Sequence, residues 1–269
     1  MVESMPPTDF LSQNDLDALA APVRDIAIRA GQAILEVASR GYDVKAKEDR
    51  TPVTDADHAA EGIILAALGE LTPSFDIISE EAASRGESAP IGEGPAWVVD
   101  PLDGTREFVD GGDEYAICIG LLVDRKPVFG LLHGPALDVT YWTAGANTGF
   151  KAEGDGAGAA VTPRAWPAAG PTAITSRFHS KTGRLAAYLD EIAPAMRINM
   201  SSALKFGLLA EGAADIYPRF GPTCEWDTAA GHAVLAAVGG TVCTLDGAEL
   251  TYGKPDYLNP GFIARGMPA

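Results

Sequence analysis

The sequence predicts a mixed α/β fold in which two β-sheets are layered with helices, the first half antiparallel and the second half mixed. Three features point to it. Residues 16–39 repeat apolar positions at helical spacing, residues 115–141 read as successive strands joined by turns, and beyond residue 160 short strands alternate with helices. At 269 residues the chain is long enough to bury roughly three quarters of its unfolded surface, so a sizeable core is available.

Taken in order, residues 1–15, MVESMPPTDFLSQND, are acidic and polar, lack the basic start and apolar core of a secretory signal, and read as a flexible lead-in. An amphipathic helix follows over 16–39, with Gly41 beyond its last turn. After Pro52, Thr54 and Asp55 are candidate caps of an Ala- and Leu-rich helix that stops before Pro73. FDIIS (75–79) and WVV (97–99) are β-branched or aromatic runs that stop at acidic residues, and so predict strands delivering carboxylates at their ends. From Tyr115 to Tyr141 the pattern predicts an antiparallel meander with turns near Asp124–Pro127 and Pro135–Asp138. The Gly/Ala-rich stretch Gly154–Ala160 reads as a loop and a boundary between an α+β half, 16–160, and an α/β half, 161–269. In that second half TAITS, a helix near 181–193, RINMS, a helix near 202–212, DIYPR and a helix near 228–238 alternate, and no internal repeat is present.

Composition narrows the function classes. Apolar residues make up 46% of the chain, and no run reaches the length of a membrane span. Cys118, Cys224 and Cys243 form an odd set without metal-binding spacing, which argues against a disulfide framework and for a reducing, cytoplasmic setting. A formal net charge of -17 argues against a nucleic-acid polymer as partner. A small phosphorylated substrate is compatible with that charge if bound cations reverse the field where carboxylates cluster.

The densest chemistry lies in WVVDPLDGTREF, residues 97–108. Pro101 stiffens the backbone between two aspartates and Gly104 permits a tight turn, so Asp100, Asp103 and the Leu102 carbonyl can point at one place as hard oxygen ligands of the kind Mg2+ prefers. Gly104 and Thr105 then open a helical turn whose free N–H groups suit a phosphate. An isolated DxxDG is more often a plain acidic turn, but here an apolar run places the acids at a strand end, where open α/β sheets build their sites. Glu80 and Glu81 end the strand FDIIS, with a solvated surface pair as the alternative. Asp57, three residues after Thr54, has a helix-start acid as its alternative. Asp227, at the head of an Ala-rich helix in EWDTAAGHA, has the N-cap as its alternative. These are four acidic stations, each at an element end.

In order, these stations resemble the signature of the inositol monophosphatase superfamily: PVTxxD, xEE, WxxDPxDGT and WDxxAG, spanning nearly the whole chain after residue 15. Within it, DPLDGTREF, SSALKFGLLAEGAADIYPRFGPTCEWDTAAGHA and LNPGF look most like the bacterial 3'(2'),5'-bisphosphate nucleotidases of the CysQ type. The resemblance implies a five-layered αβαβα sandwich and a Mg2+-dependent phosphatase holding two or three ions. By that resemblance Glu80, Asp100 and the Leu102 carbonyl would hold one ion and Asp100, Asp103 and Asp227 a second, while Glu80 and Asp57 help to place a third. Asp57 and Thr105 would orient the attacking water, with Glu81 supporting them. Lys205 and Arg219 are candidates for a second phosphate, with a solvated surface cation as their alternative. Ser201, Ser202 and His179 are weaker candidates for phosphate or ribose. His58, His133 and His232 read as surface or satisfied interior groups, since a hard-oxygen site has little use for imidazole. The implied substrate is adenosine 3',5'-bisphosphate, a by-product of sulfate assimilation, and the implied inhibitor is lithium. An inositol or sugar phosphatase with the same metal site is the first rival, and a non-catalytic nucleotide-binding regulator, which would need a broken station, the second. Oligomeric state, monomer or homodimer, and peripheral contact with the inner membrane stay open.

Overall fold

The computed structural model describes residues 11–46, 52–144, 147–178 and 183–267. Most of the proposed lead-in, residues 1–10, and His179 lie outside the described residues. Helix α1 (Gln13–Arg40) starts earlier than its apolar repeat suggests, because Ser12 and Asp15 form a capping box: the Asp15 carboxylate accepts from Ser12 N at 2.8 Å and the Ser12 hydroxyl from Asp15 N at 3.3 Å. Short strands β1 (Val44–Ala46) and β2 (Pro52–Thr54) pair antiparallel and lead into α2 (Asp55–Leu71). Then come β3 (Asp76–Ser79), α3 (Glu80–Ser84), β4 (Ala96–Asp103), α4 (Thr105–Val109), β5 (Ala116–Val123), β6 (Lys126–Gly134), β7 (Val139–Thr143), β8 (Gly149–Glu153) and β9 (Ala159–Val161). Strands β3 to β9 form a seven-stranded sheet in chain order.

That sheet is antiparallel except for its first pair, which departs from the reading of a wholly antiparallel first half. β3 and β4 run parallel because α3 and the segment up to residue 95 supply the crossover that parallel strands require. The meander turns at Asp124–Arg125, both at positive φ, and at Asp138, as the turn chemistry predicts. The glycine-rich stretch is a turn inside this sheet, since β9 pairs with β8 across it; the chain leaves the sheet after Val161.

The second sheet is mixed. β10 (Thr172–Ser176), α5 (Gly183–Ile192), β11 (Met196–Met200), α6 (Leu204–Ala210), β12 (Ile216–Arg219), β13 (Thr223–Cys224), α7 (Ala229–Ala236), β14 (Thr241–Thr244), β15 (Leu258–Asn259) and β16 (Phe262–Arg265) follow in order. Five of these strands assemble as β11-β10-β12-β16-β14, parallel on one side and antiparallel on the other, and β13 pairs with β15.

Strand alternation sorts side chains into three apolar clusters, and these fix the layers. Trp97, Val99, Ile117, Ile119 and Leu131 face α1 and α2. Val98, Cys118, Leu122 and Leu132 face the other way, against α6, α7 and the inner face of the second sheet through Tyr217, Phe262 and Ala264. Ala173, Ile216 and Ile263 face outward to Leu185 and Leu189 of α5. The order is helix, sheet, helix, sheet, helix, the five layers the family resemblance implies. Two paired glycines set the central spacing: a Cβ on Gly120 would meet Ala230 N at 2.8 Å, and one on Gly130 would meet Ala230 O at 2.1 Å, so α7 lies directly on the backbone of β5 and β6. Among the described residues no helix is long and apolar enough to cross a membrane.

Candidate metal centre and active site

The site begins where β4 loses its regular pairing. Its ladder to β5 shifts register between Asp100 and Asp103, so the DPLD segment bulges toward the second sheet. The Asp100 carboxylate caps the bulge by accepting from Leu102 N at 2.9 Å. Gly104, at φ 93°, makes the left-handed turn into α4, and a Cβ there would already touch Glu114 O at 3.4 Å. Asp103 accepts from Ala203 N at 2.5 Å, tying the loop before α6 to the same corner.

Asp227 arrives from the other half. The N-cap of α7 is Thr228, so the capping alternative for Asp227 does not hold; its carboxylate instead accepts from Cys224 N at 2.8 Å. Carboxylate oxygens of Asp100, Asp103 and Asp227 lie within 4.8 Å of one another. Burial, then the charges of Glu80, Asp103 and Asp227, push the Asp100 carboxyl well above the usual range. Burial, Asp103 and Glu80 do the same to Asp227. Burial also raises Asp103, while Lys205 opposes the rise. Carboxylates this close stay ionised together only beside a cation, and an all-oxygen donor set suits a hard ion of the Mg2+ class. These residues therefore fit the ion. Glu80 lines the same cleft but stands outside the closest cluster, and Leu102 lines it too.

Asp57 and Thr105 meet as the motif order implies. Asp57 is 1% exposed and held by Thr54, whose amide and hydroxyl donate to it at 2.7 and 2.8 Å. Its other oxygen is 3.2 Å from the Thr105 hydroxyl, which also lies 3.0 Å from the Leu102 carbonyl. One hydroxyl proton serves only one of these acceptors at a time. Thr54, rather than Asp55, is the N-cap of α2, with Asp57 completing the capping box, so the helix-start role and the contact to Thr105 coexist. Glu81 is buried next to Glu80.

Lys205 and Arg219 both line the cleft and are buried, which rules out solvated surface cations. The Lys205 ammonium donates to Met200 O at 3.2 Å and to Ser202 O, and burial lowers its pKa to about 8 against the pull of Asp103. Arg219 donates to Gly221 O at 3.3 Å and Pro222 O at 2.9 Å. Ser201 and Ser202 line the cleft, Ser202 at φ 55°. His133 and His232 are interior, bonded to Thr140 at 2.9 Å and to Tyr252 at 3.1 Å, and burial lowers both to about 4.

Several supporting residues escape the sequence reading. Glu61, one helical turn after Asp57, accepts from Ser79 Oγ at 2.5 Å and Ala82 N at 3.2 Å, bracing the turn that carries Glu80. A second acid on the buried face of an Ala-rich helix is a signal that could have found it. Glu107 accepts from the Ser201 hydroxyl at 2.8 Å and Glu114 from Ser201 N at 2.9 Å. Arg177 pairs with the same two acids, at 3.6 and 2.6 Å. Glu225, fully buried beside Trp226, accepts from Gly253 N and Lys254 N at 3.0 Å each and pairs with the Lys254 ammonium at 2.6 Å. No local pattern links residues so far apart in the chain.

The chain is similar to known proteins in sequence and in fold along most of its length. The profile of the inositol monophosphatase family matches residues 15–266. A 3'(2'),5'-bisphosphate nucleotidase CysQ of Salmonella typhimurium is 39% identical over 243 residues, 89% of this chain and 96% of that protein. The crystal structure of CysQ from Bacteroides thetaiotaomicron superposes with a TM-score of 0.78 at 33% identity, covering 94% of this chain and 98% of that one. The IMPase of Thermotoga maritima shares the fold at 21% identity, with a TM-score of 0.75 over 93% of this chain and 92% of its own.

Proposed function

Since the chain belongs to the inositol monophosphatase family, we propose that it is a Mg2+-dependent phosphomonoesterase that hydrolyses adenosine 3',5'-bisphosphate to AMP and phosphate. The observation that carries this reading is the near end-to-end similarity to bisphosphate nucleotidases, with every acidic station of the motif set present. Glu80, Asp100 and the Leu102 carbonyl would hold one ion, Asp100, Asp103 and Asp227 a second, and Asp57 with Glu80 a weaker third. Bound there, Mg2+ supplies charge neutralisation and acidifies water.

The protein's own groups do the rest. With the Leu102 carbonyl engaged elsewhere, the Thr105 hydroxyl donates to Asp57 and turns a lone pair toward the attacking water, so that Asp57 receives that water's proton through the hydroxyl. Glu81, buried beside Glu80, supports that corner. We assign the backbone amides of Gly104 and Thr105, at the start of α4, to the transferred phosphoryl group. Arg219 spends donors on two turn carbonyls and keeps others for the remaining phosphate, while Lys205 contributes a nearby positive charge. Ser202 and His179 are assigned to the ribose or phosphate edge. In a reducing, cytoplasmic setting such an enzyme would recycle a by-product of sulfate assimilation, and family membership brings an expected sensitivity to lithium.

The test is phosphate release, with and without Mg2+, from adenosine 3',5'-bisphosphate and inositol 1-phosphate in parallel, with Asp100→Asn as control. Preference for the nucleotide, lost in the variant, supports the reading. Preference for inositol 1-phosphate keeps the metal chemistry and overturns the substrate, and no turnover of either overturns the enzyme.

A further inference from the structure

The metal-binding carboxylates account for one phosphate, yet none of the residues assigned so far reads the base that sets a nucleotide apart from an inositol phosphate. A purine is recognised most directly by a flat π surface against which it can stack. Among the described residues four aromatic rings line the cleft: Phe178, Phe206, Tyr217 and Phe262. The last three are at most 4% exposed and pack on one another with centroids 5.4 to 6.0 Å apart, so they form a closed floor. Phe178 differs in being only half-buried, just beyond the end of β10.

Phe178 also has a companion. The guanidinium of Arg106 lies 4.7 Å from its ring centroid. Arg106 is the second residue of α4, directly after Thr105, so the pair is hung from the turn that carries the catalytic threonine. The Arg106 side chain is 68% exposed and its ion pair with Asp110 is a loose 4.0 Å, which makes that pair a weak competitor for the guanidinium. The neighbouring Arg177 is anchored by Glu114 and Glu107, the same acids that hold Ser201, so the segment carrying Phe178 is tied to the loop before α6.

We propose that Phe178, with Arg106 stacked on it, is the shelf that receives the purine base of the substrate. The proposal rests on the nucleotidase reading and deepens it: ring and guanidinium plane both tolerate stacking of a base, whereas a polyol has no flat face to stack on either. The same geometry explains why selectivity would depend on two residues outside the metal ligands.

The experiment compares inhibition constants of AMP and ribose 5-phosphate, which differ only in the base, for the wild-type enzyme and for Phe178→Ala, Phe178→Leu and Phe178→Trp. Wild type is expected to favour AMP, and the Ala and Leu variants to shrink that ratio about 5- to 150-fold, the worth of one stacked base, while Trp retains it. The Leu variant keeps apolar bulk without a π face, so it separates stacking from packing. A ratio near one in the wild type, a ratio unchanged in Ala and Leu, or equal weakening of both ligands would overturn the shelf. Failure of the underlying reading looks different: the wild type would then turn over inositol 1-phosphate in preference to adenosine 3',5'-bisphosphate whatever the variants do.

Discussion

Asp100→Asn should remove activity and yet stabilise the metal-free protein. Asp100 is buried and faces the half-buried Asp103 and Asp227, their nearest oxygens within 4.8 Å. At an effective dielectric of about 20, two unit charges at that distance repel by about 332/(20 × 4.8), or roughly 3.5 kcal/mol. The amide relieves two such pairs, with Asp103 and with Asp227; partial protonation and the nearby Lys205 and Arg219 reduce their sum, leaving a gain of about 2–4 kcal/mol for the neutral amide, which can still accept from Leu102 N through its oxygen. For a chain of this length that corresponds to a rise in Tm of roughly 4–16 °C. The sign of the pH dependence follows from the raised folded-state pKa values of all three acids: between the unfolded value of 3.8 and the raised folded values the native state holds more protons, so metal-free wild type loses stability as pH climbs through that window. The gain in Asp100→Asn should therefore be large at pH 8 and vanish near pH 4. Thermal unfolding in EDTA and in MgCl2 at both pH values, with phosphate release alongside, reads all of this. An EDTA-treated variant less stable than EDTA-treated wild type at pH 8 would refute the account of the site as mutually repelling carboxylates awaiting a cation.

Three further outcomes are expected. Thr105→Val should leave the unfolding transition within about 1 kcal/mol of wild type while lowering kcat about 10²- to 10⁴-fold, because the hydroxyl facing Asp57 is lost but little packing is; kinetics and urea titration together check it. Gly130→Ala, whose Cβ would sit 2.1 Å from Ala230 O, should cost about 1–3 kcal/mol and weaken Mg2+ binding as α7 moves off the sheet, measurable by urea unfolding and a Mg2+ titration of activity. Glu225→Ala should cost about 3–5 kcal/mol, since it leaves the Gly253 and Lys254 amides without their acceptor and strips the Lys254 ammonium of its counter-charge, leaving that ammonium only the Thr251 carbonyl, and Glu225→Gln should recover part of that.

The layered fold was legible because alternation and helical periodicity are local properties. Strands β4 to β7 and helices α1, α2 and α7 follow from spacing alone, and the helix starts that shifted did so through caps such as Ser12 with Asp15. The parallel β3/β4 pair was missed since the crossover through α3 is short and irregular, and the end of the glycine-rich stretch reads as loop because β9 is only three residues long. Asp100, Asp103 and Gly104 could be read because one bulged strand end holds them all. Asp227 and the Asp57 to Thr105 contact needed the order of motifs along the chain, for their meeting depends on how the sheets stack. Glu107, Glu114, Arg177 and Glu225 were invisible, since each partner lies on a distant segment and an isolated acid looks like any solvated one.

The bulge of β4 and the head of α7 contribute to one ion site although Asp103 and Asp227 are 227 − 103 = 124 residues apart. An ion gripped by both would act as a removable cross-link between the first sheet and the central helical layer, closing a long loop of the chain. Chelation should then do more than silence the enzyme: it should loosen the seam between the layers first, so that protease cleavage and amide exchange in α7 and the loop before α6 rise in EDTA well before the outer helices α1 and α5 respond.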